Sequence, residues 1–150
     1  MKTVTLTIGA ALSGKTTFCE QWKEHFNYVY LSSDKFRAVV GGSESNLKCS
    51  AQVFKVLEYN LEYFLKYGHQ NILIDCTNRT PKSRRNFVNI VKKYGARLEA
   101  VCFDVPLADL LKRNKIRERK LPQDVIQSQF EGLVWPTFEE GFEEIIFNKQ

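Results

Sequence analysis

The stretch GAALSGKTT, running from Gly9 to Thr17, decides the fold of this chain because it satisfies the pattern GxxxxGK[ST] over residues 9–16. Glycines in this pattern let the backbone turn so that successive N–H groups point at phosphate oxygens. Lys15 can then span the β- and γ-phosphates of a nucleotide, and the Thr16 hydroxyl can ligate Mg²⁺. The stretch therefore predicts a phosphate loop for ATP or GTP with Mg²⁺, and the alternative is an ordinary glycine-bearing turn.

The residues on either side support a phosphate loop. Threonines alternate with apolar residues over 3–8, as in a strand, and a helix is predicted over 15–26. The positive end of this helix would face bound phosphate. The candidate cofactor-binding residues of the segment are Gly9, Ser13, Gly14, Lys15, Thr16 and Thr17, with Thr16 as the candidate metal ligand.

The same N-terminal segment, MKTVTLTIGAALSG, superficially resembles a short secretory signal. Its alternating β-branched residues are typical of a strand rather than of a Leu-rich signal core. No other window approaches the ~18 apolar residues of a membrane span. We therefore expect a soluble, intracellular protein without a membrane partner.

Composition indicates one globular domain over residues 1–150, since 43% of the residues are hydrophobic and 26% are charged. The net charge of +5 favours an anionic partner, although solubility alone also explains a modest basic excess. The four cysteines include no CxxC pair, so neither a disulfide nor a structural zinc site is expected. Buried thiols in a reducing compartment are the expectation.

The chain alternates strands with amphipathic helices. This alternation predicts an α/β fold of three layers, α/β/α, with a mostly parallel sheet and right-handed crossovers. Strands are predicted at 3–8, 28–33, 71–75 and 97–105, with a candidate last strand at 143–147. Helices are predicted at 15–26, 34–40 and about 50–67, from Pro81 up to Gly95, from Pro106 and from Pro122.

The second strand leads into Asp34 and Arg37 at the start of a helix, where open α/β sheets place their chemistry. Residues three apart project from one helix face, here toward the phosphate loop. A carboxylate there can accept a proton from an attacking hydroxyl, and an arginine can grip an acceptor phosphate. The alternative is a helix-capping aspartate with a local ion pair.

The third strand ends in IDCTN, residues 74–78, in the manner of a Walker B strand. Asp75 could hold Mg²⁺ through water or orient groups on the acceptor side. Asp75 and Asn78 are therefore candidate substrate-binding residues, and an ordinary strand-end turn is the alternative.

The run KRNKIRERK, residues 112–120, holds six basic residues and one acidic residue. If the run is helical, Arg113 and Arg117 share one face. Phosphoryl transfer needs positive charge over the transferring group, which a basic helical lid would supply. The alternative is a solvated basic helix face.

Taken together, these segments resemble the kinase domain of polynucleotide 5′-kinases, both the phage-type enzymes and the kinase half of eukaryotic polynucleotide kinase/phosphatase. The resemblance covers nearly the whole chain, and the TN motif, FDVP with the following KRN, and EGF are more restrictive than the phosphate loop. The segments that carry it are LTIGAALSGKTT, SSDKFR, ILIDCTNRTPKSRRNFVNIVKKYG, FDVPLADLLKRNKIR and WPTFEEGFEEI.

The resemblance implies roles for matching residues. Lys15 and Thr16 would hold ATP and Mg²⁺, and Asp34 would be the general base on the 5′-hydroxyl. Arg37 would contact the phosphate backbone of the acceptor. Arg117 would be the lid arginine on the ATP phosphates, with Arg113 nearby.

Two further points follow from the family pattern. Family members place the acid of the TN motif either directly before it or one residue earlier, as with Asp75 here. The chain contains no DxDxT signature, so a 3′-phosphatase activity is not expected.

Three functions are consistent with these residues. The first is ATP-dependent phosphorylation of the 5′-hydroxyl end of DNA or RNA, with Lys15, Asp34 and Arg117 as catalytic residues. The second is a kinase of a nucleoside or another small hydroxyl metabolite. The third is a nucleotide-dependent module that binds nucleic-acid ends without catalysis, against which an acceptor-side acid such as Asp34 argues.

Overall fold

The computed structural model describes residues 1–148, which form an α/β fold around a parallel sheet of five strands. The strands are β1 (Thr3–Ile8), β2 (Val29–Ser32), β3 (Ile72–Asp75), β4 (Arg97–Cys102) and β5 (Glu144–Phe147). The helices are α1 (Lys15–Phe26), α2 (Ser33–Gly41), α3 (Ser50–Tyr67), α4 (Pro81–Lys93), α5 (Leu107–Lys115) and α6 (Gln123–Glu131). The strand order is β2-β3-β1-β4-β5, and every neighbouring pair is parallel.

The two faces of the sheet bury different residues of the same strands. On one face, Val4, Leu6 and Ile8 of β1 pack in the main core with the apolar faces of α3 and α4. Because successive side chains of a strand point to opposite faces, Thr7 of β1 and Asp75 of β3 lie on the other face, beside α1. The predicted three-layer arrangement is confirmed, and it brings the start of α1 to the end of β3.

Most element boundaries follow the local sequence signals. Helix α4 begins with Pro81 after a reciprocal cap between Thr80 and Ser83, and α2 ends at Gly41 before Gly42 with φ 78°. The strand predicted over 97–105 is shorter and ends at Cys102. Cys102 pairs with the last residues of both neighbouring strands, Ile8 and Phe147, and the Phe103 N–H still donates to the Ile8 carbonyl at 2.8 Å before the chain leaves the sheet.

The buried Arg84 connects the segment that follows α6 to the loop between β3 and α4. Arg84 is fully buried and donates to both carboxylate oxygens of Glu140, at 2.9 and 3.0 Å. It also donates to the backbone carbonyls of Asn78 and Val134, at 2.7 and 2.9 Å. Burial would raise the pKa of Glu140, but hydrogen bonds from Arg84 and the Thr137 N–H outweigh it and lower that pKa. These four hydrogen bonds of Arg84 fix the position of Asn78.

None of the helices described in residues 1–148 has the length and hydropathy that a bilayer span requires.

Candidate active site

A cleft of about 1080 Å³ opens where β1, β2 and β3 end. This volume exceeds the ~300–1,000 Å³ typical of a pocket for one drug-sized ligand, which suits two substrates side by side. The cleft is lined by all predicted site residues except Gly9 and Ser13, namely Gly14, Lys15, Thr16, Thr17, Asp34, Arg37, Asp75, Asn78, Arg113 and Arg117.

The phosphate loop folds over the start of α1 with two left-handed backbone positions. Gly14 has φ 98° and Leu12 has φ 69°. The Lys15 ammonium is buried and donates to the Ala10 carbonyl at 2.7 Å. Burial lowers the pKa of Lys15, and the nearby carboxylates of Asp75 and Asp34 offset part of this effect. The Lys15 ammonium therefore lies inside the bend of the loop, and the N-terminus of α1 faces the cleft.

Gly9 and Ser13 form the base of the loop behind the cleft. A Cβ at Gly9 would lie 2.8 Å from the Ser13 Oγ and 3.1 Å from the Phe103 Cβ, so only glycine fits without displacement. Ser13 is fully buried, and its Oγ has no hydrogen-bond partner within residues 1–148. These two residues shape the loop from below rather than line the cavity.

At the end of β3, the Asp75 carboxylate accepts hydrogen bonds from side chains of neighbouring elements. Its Oδ2 accepts from the Thr16 hydroxyl at 2.9 Å and from the Tyr30 hydroxyl at 2.5 Å, while Thr7 Oγ1 lies 3.5 Å from Oδ1. Burial and the neighbouring Asp75 raise the pKa of Tyr30, so its hydroxyl stays protonated and donates. Asp75 therefore faces the nucleotide side of the cleft, next to the first turn of α1.

The Thr16 and Asp75 oxygens fit Mg²⁺, since this hard cation prefers oxygen ligands and is usually held by one or two protein groups plus phosphates and waters. Within residues 1–148, no group of three or more His, Cys, Asp or Glu residues could hold a metal ion. The protein groups at this position thus suit a metal that arrives with a nucleotide.

Asp34 and Arg37 form the opposite wall of the cleft, on α2. Arg37 Nη1 donates to Asp34 Oδ1 at 3.1 Å, with the Asp34 side chain 51% exposed and that of Arg37 12% exposed. The helix cap is Ser32, whose Oγ accepts from the Lys35 N–H, so Asp34 does not cap α2. The Arg37 Nε is buried without a partner within residues 1–148. The local ion pair exists, and its carboxylate remains open to the cleft.

Asn78 lines the cleft, but its side chain is directed inward. The residue adopts φ 46°, and its Nδ2 donates to the Thr7 carbonyl at 2.9 Å. The Oδ1 is buried without a partner within residues 1–148. The amide of Asn78 thus holds the end of β3 against β1, and a substrate contact of this residue stays a prediction.

The basic segment differs from the predicted helical lid. Helix α5 ends at Lys115, so Arg113 lies on the helix and Arg117 lies in the loop that follows. The Asn114 amide closes this loop, because its Nδ2 donates to the Leu121 carbonyl at 2.8 Å and its Oδ1 accepts from the Leu121 N–H at 2.9 Å. The loop brings Arg117 to the cleft even though the two arginines share no helix face.

Two contacts connect the α5–α6 region to the phosphate loop. Arg113 Nη1 donates to the Leu12 carbonyl at 2.8 Å, and the Ala11 N–H donates to Gln129 Oε1 of α6 at 2.8 Å. A second apolar cluster of Ala10 with residues of α5 and α6 lies beneath them. At the mouth of the cleft, Arg119 pairs with Glu44 at 3.4 Å. The α5–α6 region, which carries Arg117, is thus attached to the phosphate loop that it faces.

Tyr30, Asn114 and Arg84 were not singled out by the sequence reasoning. Tyr30 occupies an ordinary strand position, and Arg84 looks like one more cation in a basic helix start. Only Asn114 carried a usable signal. It interrupts the basic residues of the run 112–120, and asparagine is common where a helix ends or a turn begins.

Comparisons with known proteins identify the family and the relatives of this chain. A family model described as an AAA domain matches residues 4–134. Among curated proteins, the L-seryl-tRNA(Sec) kinase of Methanococcus maripaludis is 33% identical over 77 residues, which cover 49% of this chain and 30% of that protein.

Solved structures show the same fold. A chain of the Pnkp1/Rnl/Hen1 RNA repair complex superposes with a TM-score of 0.76 at 25% identity, covering 88% of this chain and 44% of that chain. A putative kinase from Chloroflexus aurantiacus superposes with a TM-score of 0.78 at 16% identity, covering 98% and 84%. The chain spans less than half the length of the seryl-tRNA kinase and of the repair-complex chain. It belongs to the AAA domain family, and its phosphate loop lies in an α/β fold.

Proposed function

We propose that this chain transfers the γ-phosphoryl group of ATP to the 5′-hydroxyl end of a polynucleotide. The observation that carries the proposal is the cleft itself, in which the Asp34 carboxylate and the Lys15 phosphate loop line one cavity. The match to a chain of an RNA repair complex over 88% of the residues supports a nucleic-acid acceptor.

The residues of the cleft divide between two tasks. Lys15 and the backbone N–H groups of its loop bind the ATP phosphates, and Arg117 with Arg113 adds positive charge where the transferring group carries it. Mg²⁺, bound beside Thr16 and Asp75, would neutralise charge on the β- and γ-phosphate oxygens. These groups stabilise the transferring phosphoryl group without covalent chemistry from the protein.

Asp34 and Arg37 act on the acceptor. The half-exposed Asp34 carboxylate accepts the proton of the 5′-hydroxyl as that oxygen attacks the γ-phosphorus in line. Arg37 orients Asp34 and, through its guanidinium, contacts acceptor phosphate. The net charge of +5 agrees with an acceptor whose backbone is anionic, and binding should weaken as salt rises.

A transfer assay tests the proposal. The protein is incubated with γ-labelled ATP and matched DNA and RNA oligomers that end in a 5′-hydroxyl, alongside 5′-phosphorylated oligomers. We expect label on the 5′-hydroxyl oligomers only. Label on neither oligomer would refute the proposal.

The substitution Asp34→Asn tests whether Asp34 acts as the general base. Loss of a general base reduces the rate by about 10²–10⁴-fold, and ATP affinity should remain close to that of the wild type. Asp109→Asn is the matched control, because Asp109 is an exposed acid in the first turn of α5 outside the cleft. If Asp34→Asn loses ATP binding together with transfer, Asp34 supports the fold of the site and is not the base.

A second candidate is a kinase for the hydroxyl of a small group. The match to an L-seryl-tRNA(Sec) kinase over 77 residues favours it, because that protein's name denotes a seryl group as acceptor. A panel of nucleosides, sugars and aminoacyl-tRNA in the same labelling assay separates the two. Label on these compounds with none on 5′-hydroxyl oligomers would favour the second candidate, and ATP-dependent oligomer binding without any transfer would favour a non-catalytic module.

A further inference from the structure

Tyr30 reaches the polar centre of the cleft from the edge strand of the sheet. In the pairing of β2 with β3, Ser32 lies opposite Asp75, and Tyr30 is two residues earlier on the same face. The ring therefore runs along the sheet toward the cleft, and its hydroxyl ends 2.5 Å from Asp75 Oδ2.

The ring is held in this position from its exposed side. The Lys35 ammonium lies 4.5 Å from the ring centroid, and Lys35 pairs with Glu20 of α1 at 2.7 Å. This cation–π contact and ion pair connect α1, β2 and α2 around Tyr30. The hydroxyl thus has a fixed direction toward a single carboxylate oxygen.

That oxygen is shared by two donors with different positions. Thr16 donates to Asp75 Oδ2 from the first turn of α1, next to the phosphate loop, and Tyr30 donates to it from the sheet. A hydroxyl that ligates Mg²⁺ gives its lone pair to the metal and remains beside the carboxylate. The Tyr30 hydroxyl reaches the same oxygen from β2 and can hold Asp75 in place while Thr16 binds the metal.

We propose that Tyr30 is a positioning residue for the metal side of the site, which orients Asp75 so that Mg²⁺ bound with the nucleotide is held beside Thr16. Removing an outer-shell hydrogen bond to a metal-side group typically costs about 10–100-fold in metal affinity or activity. The inference rests on the proposed use of ATP with Mg²⁺, and it is independent of which acceptor takes the phosphate.

Tyr30→Phe removes the hydroxyl and keeps the ring that Lys35 covers. Tyr28→Phe is the matched control, because Tyr28 precedes the same strand, contacts Asn71, and does not line the cleft. Binding of Mn²⁺ to the protein with a non-hydrolysable ATP analogue is measured by electron paramagnetic resonance, without an acceptor. The affinity of each variant for the ATP analogue without metal is measured separately in the presence of a chelator. Melting temperatures are recorded for all variants.

We expect Tyr30→Phe to weaken Mn²⁺ binding about tenfold, with Tyr28→Phe within twofold of the wild type. Analogue affinity without metal should be unchanged for both. In transfer assays, the Mg²⁺ concentration for half-maximal rate should rise about tenfold, with the rate at saturating Mg²⁺ unchanged. Unaltered Mn²⁺ affinity, or an equal loss of metal-free nucleotide binding, would overturn the proposal. Absence of transfer to any acceptor with intact, Tyr30-dependent Mn²⁺ binding would refute only the proposed function.

Discussion

Replacing Arg84 with methionine should destabilise the whole domain, although the residue lies outside the cleft. The side chain is fully buried, and the four hydrogen bonds described above would all be lost. Glu140, only 16% exposed, would keep its charge without a cation, and two backbone carbonyls would lose a donor. Removing one partner of a buried ion pair typically costs about 3–5 kcal/mol, a large share of the roughly 5–15 kcal/mol that stabilises a domain.

Urea denaturation followed by tryptophan fluorescence measures this cost, because Trp135 packs against the main core. At about 2–4 °C per kcal/mol for a chain near this size, the melting temperature should fall by roughly 6–20 °C. Arg85→Met is the matched control, since Arg85 is the exposed neighbour and its replacement should change stability by about 0.5 kcal/mol or less.

The double variant Arg84→Met/Glu140→Met distinguishes a charge effect from a packing effect. With no unpaired buried charge, it should recover part of the stability lost in the single variant. The reasoning fails if Arg84→Met costs less than about 1 kcal/mol, or if the double variant is as unstable as the sum of the two single ones.

Three further changes test other parts of the fold. Asn114→Ala should leave loop 116–121 unclosed and lower the free energy of unfolding by about 1–3 kcal/mol, with faster tryptic cleavage in the loop; unchanged cleavage would contradict this. Gly9→Ala should cost about 1–3 kcal/mol by denaturant titration, because the added Cβ would lie 2.8 Å from Ser13 Oγ; wild-type stability would show that the loop adapts. The lowered pKa of Glu140 means that its contribution to stability is present above the ordinary glutamate pKa and is lost as pH falls through the lowered value. Glu140→Gln, less stable at pH 7, should therefore lose less stability than the wild type on titration to pH 3, and parallel losses would count against this linkage.

Short-range patterns account for the parts of the fold and site that the sequence predicted. The phosphate loop is defined by eight consecutive residues, and its backbone geometry follows from glycines at fixed positions. The start of α4 follows from Thr80, Pro81 and Ser83, all within one turn. The parallel sheet follows from apolar runs separated by helices, although the strand predicted over 97–105 ends at Cys102. In each case the residues that decide the structure are neighbours in the chain.

The features that were missed depend on contacts between distant residues. Tyr30 and Asp75 are 45 residues apart, and Arg84 and Glu140 are 56 apart, so no local pattern indicates either pair. The basic run looked helical throughout because its charges suit an exposed helix. It stops being helical after Lys115, where the Asn114 side chain bonds the backbone of Leu121.

The position of β2 at the border of the sheet has a consequence for how acceptor choice can change. Within residues 1–148 its backbone pairs with β3 alone, whereas the phosphate loop follows β1 at the centre of the sheet. Replacements at Asp34 and Arg37 in α2, which leave Tyr30 in place, can therefore remodel this wall of the cleft while the phosphate loop keeps its shape. If the protein acts as proposed, substitutions in this wall would change which hydroxyl is phosphorylated and leave the phosphate loop unaltered.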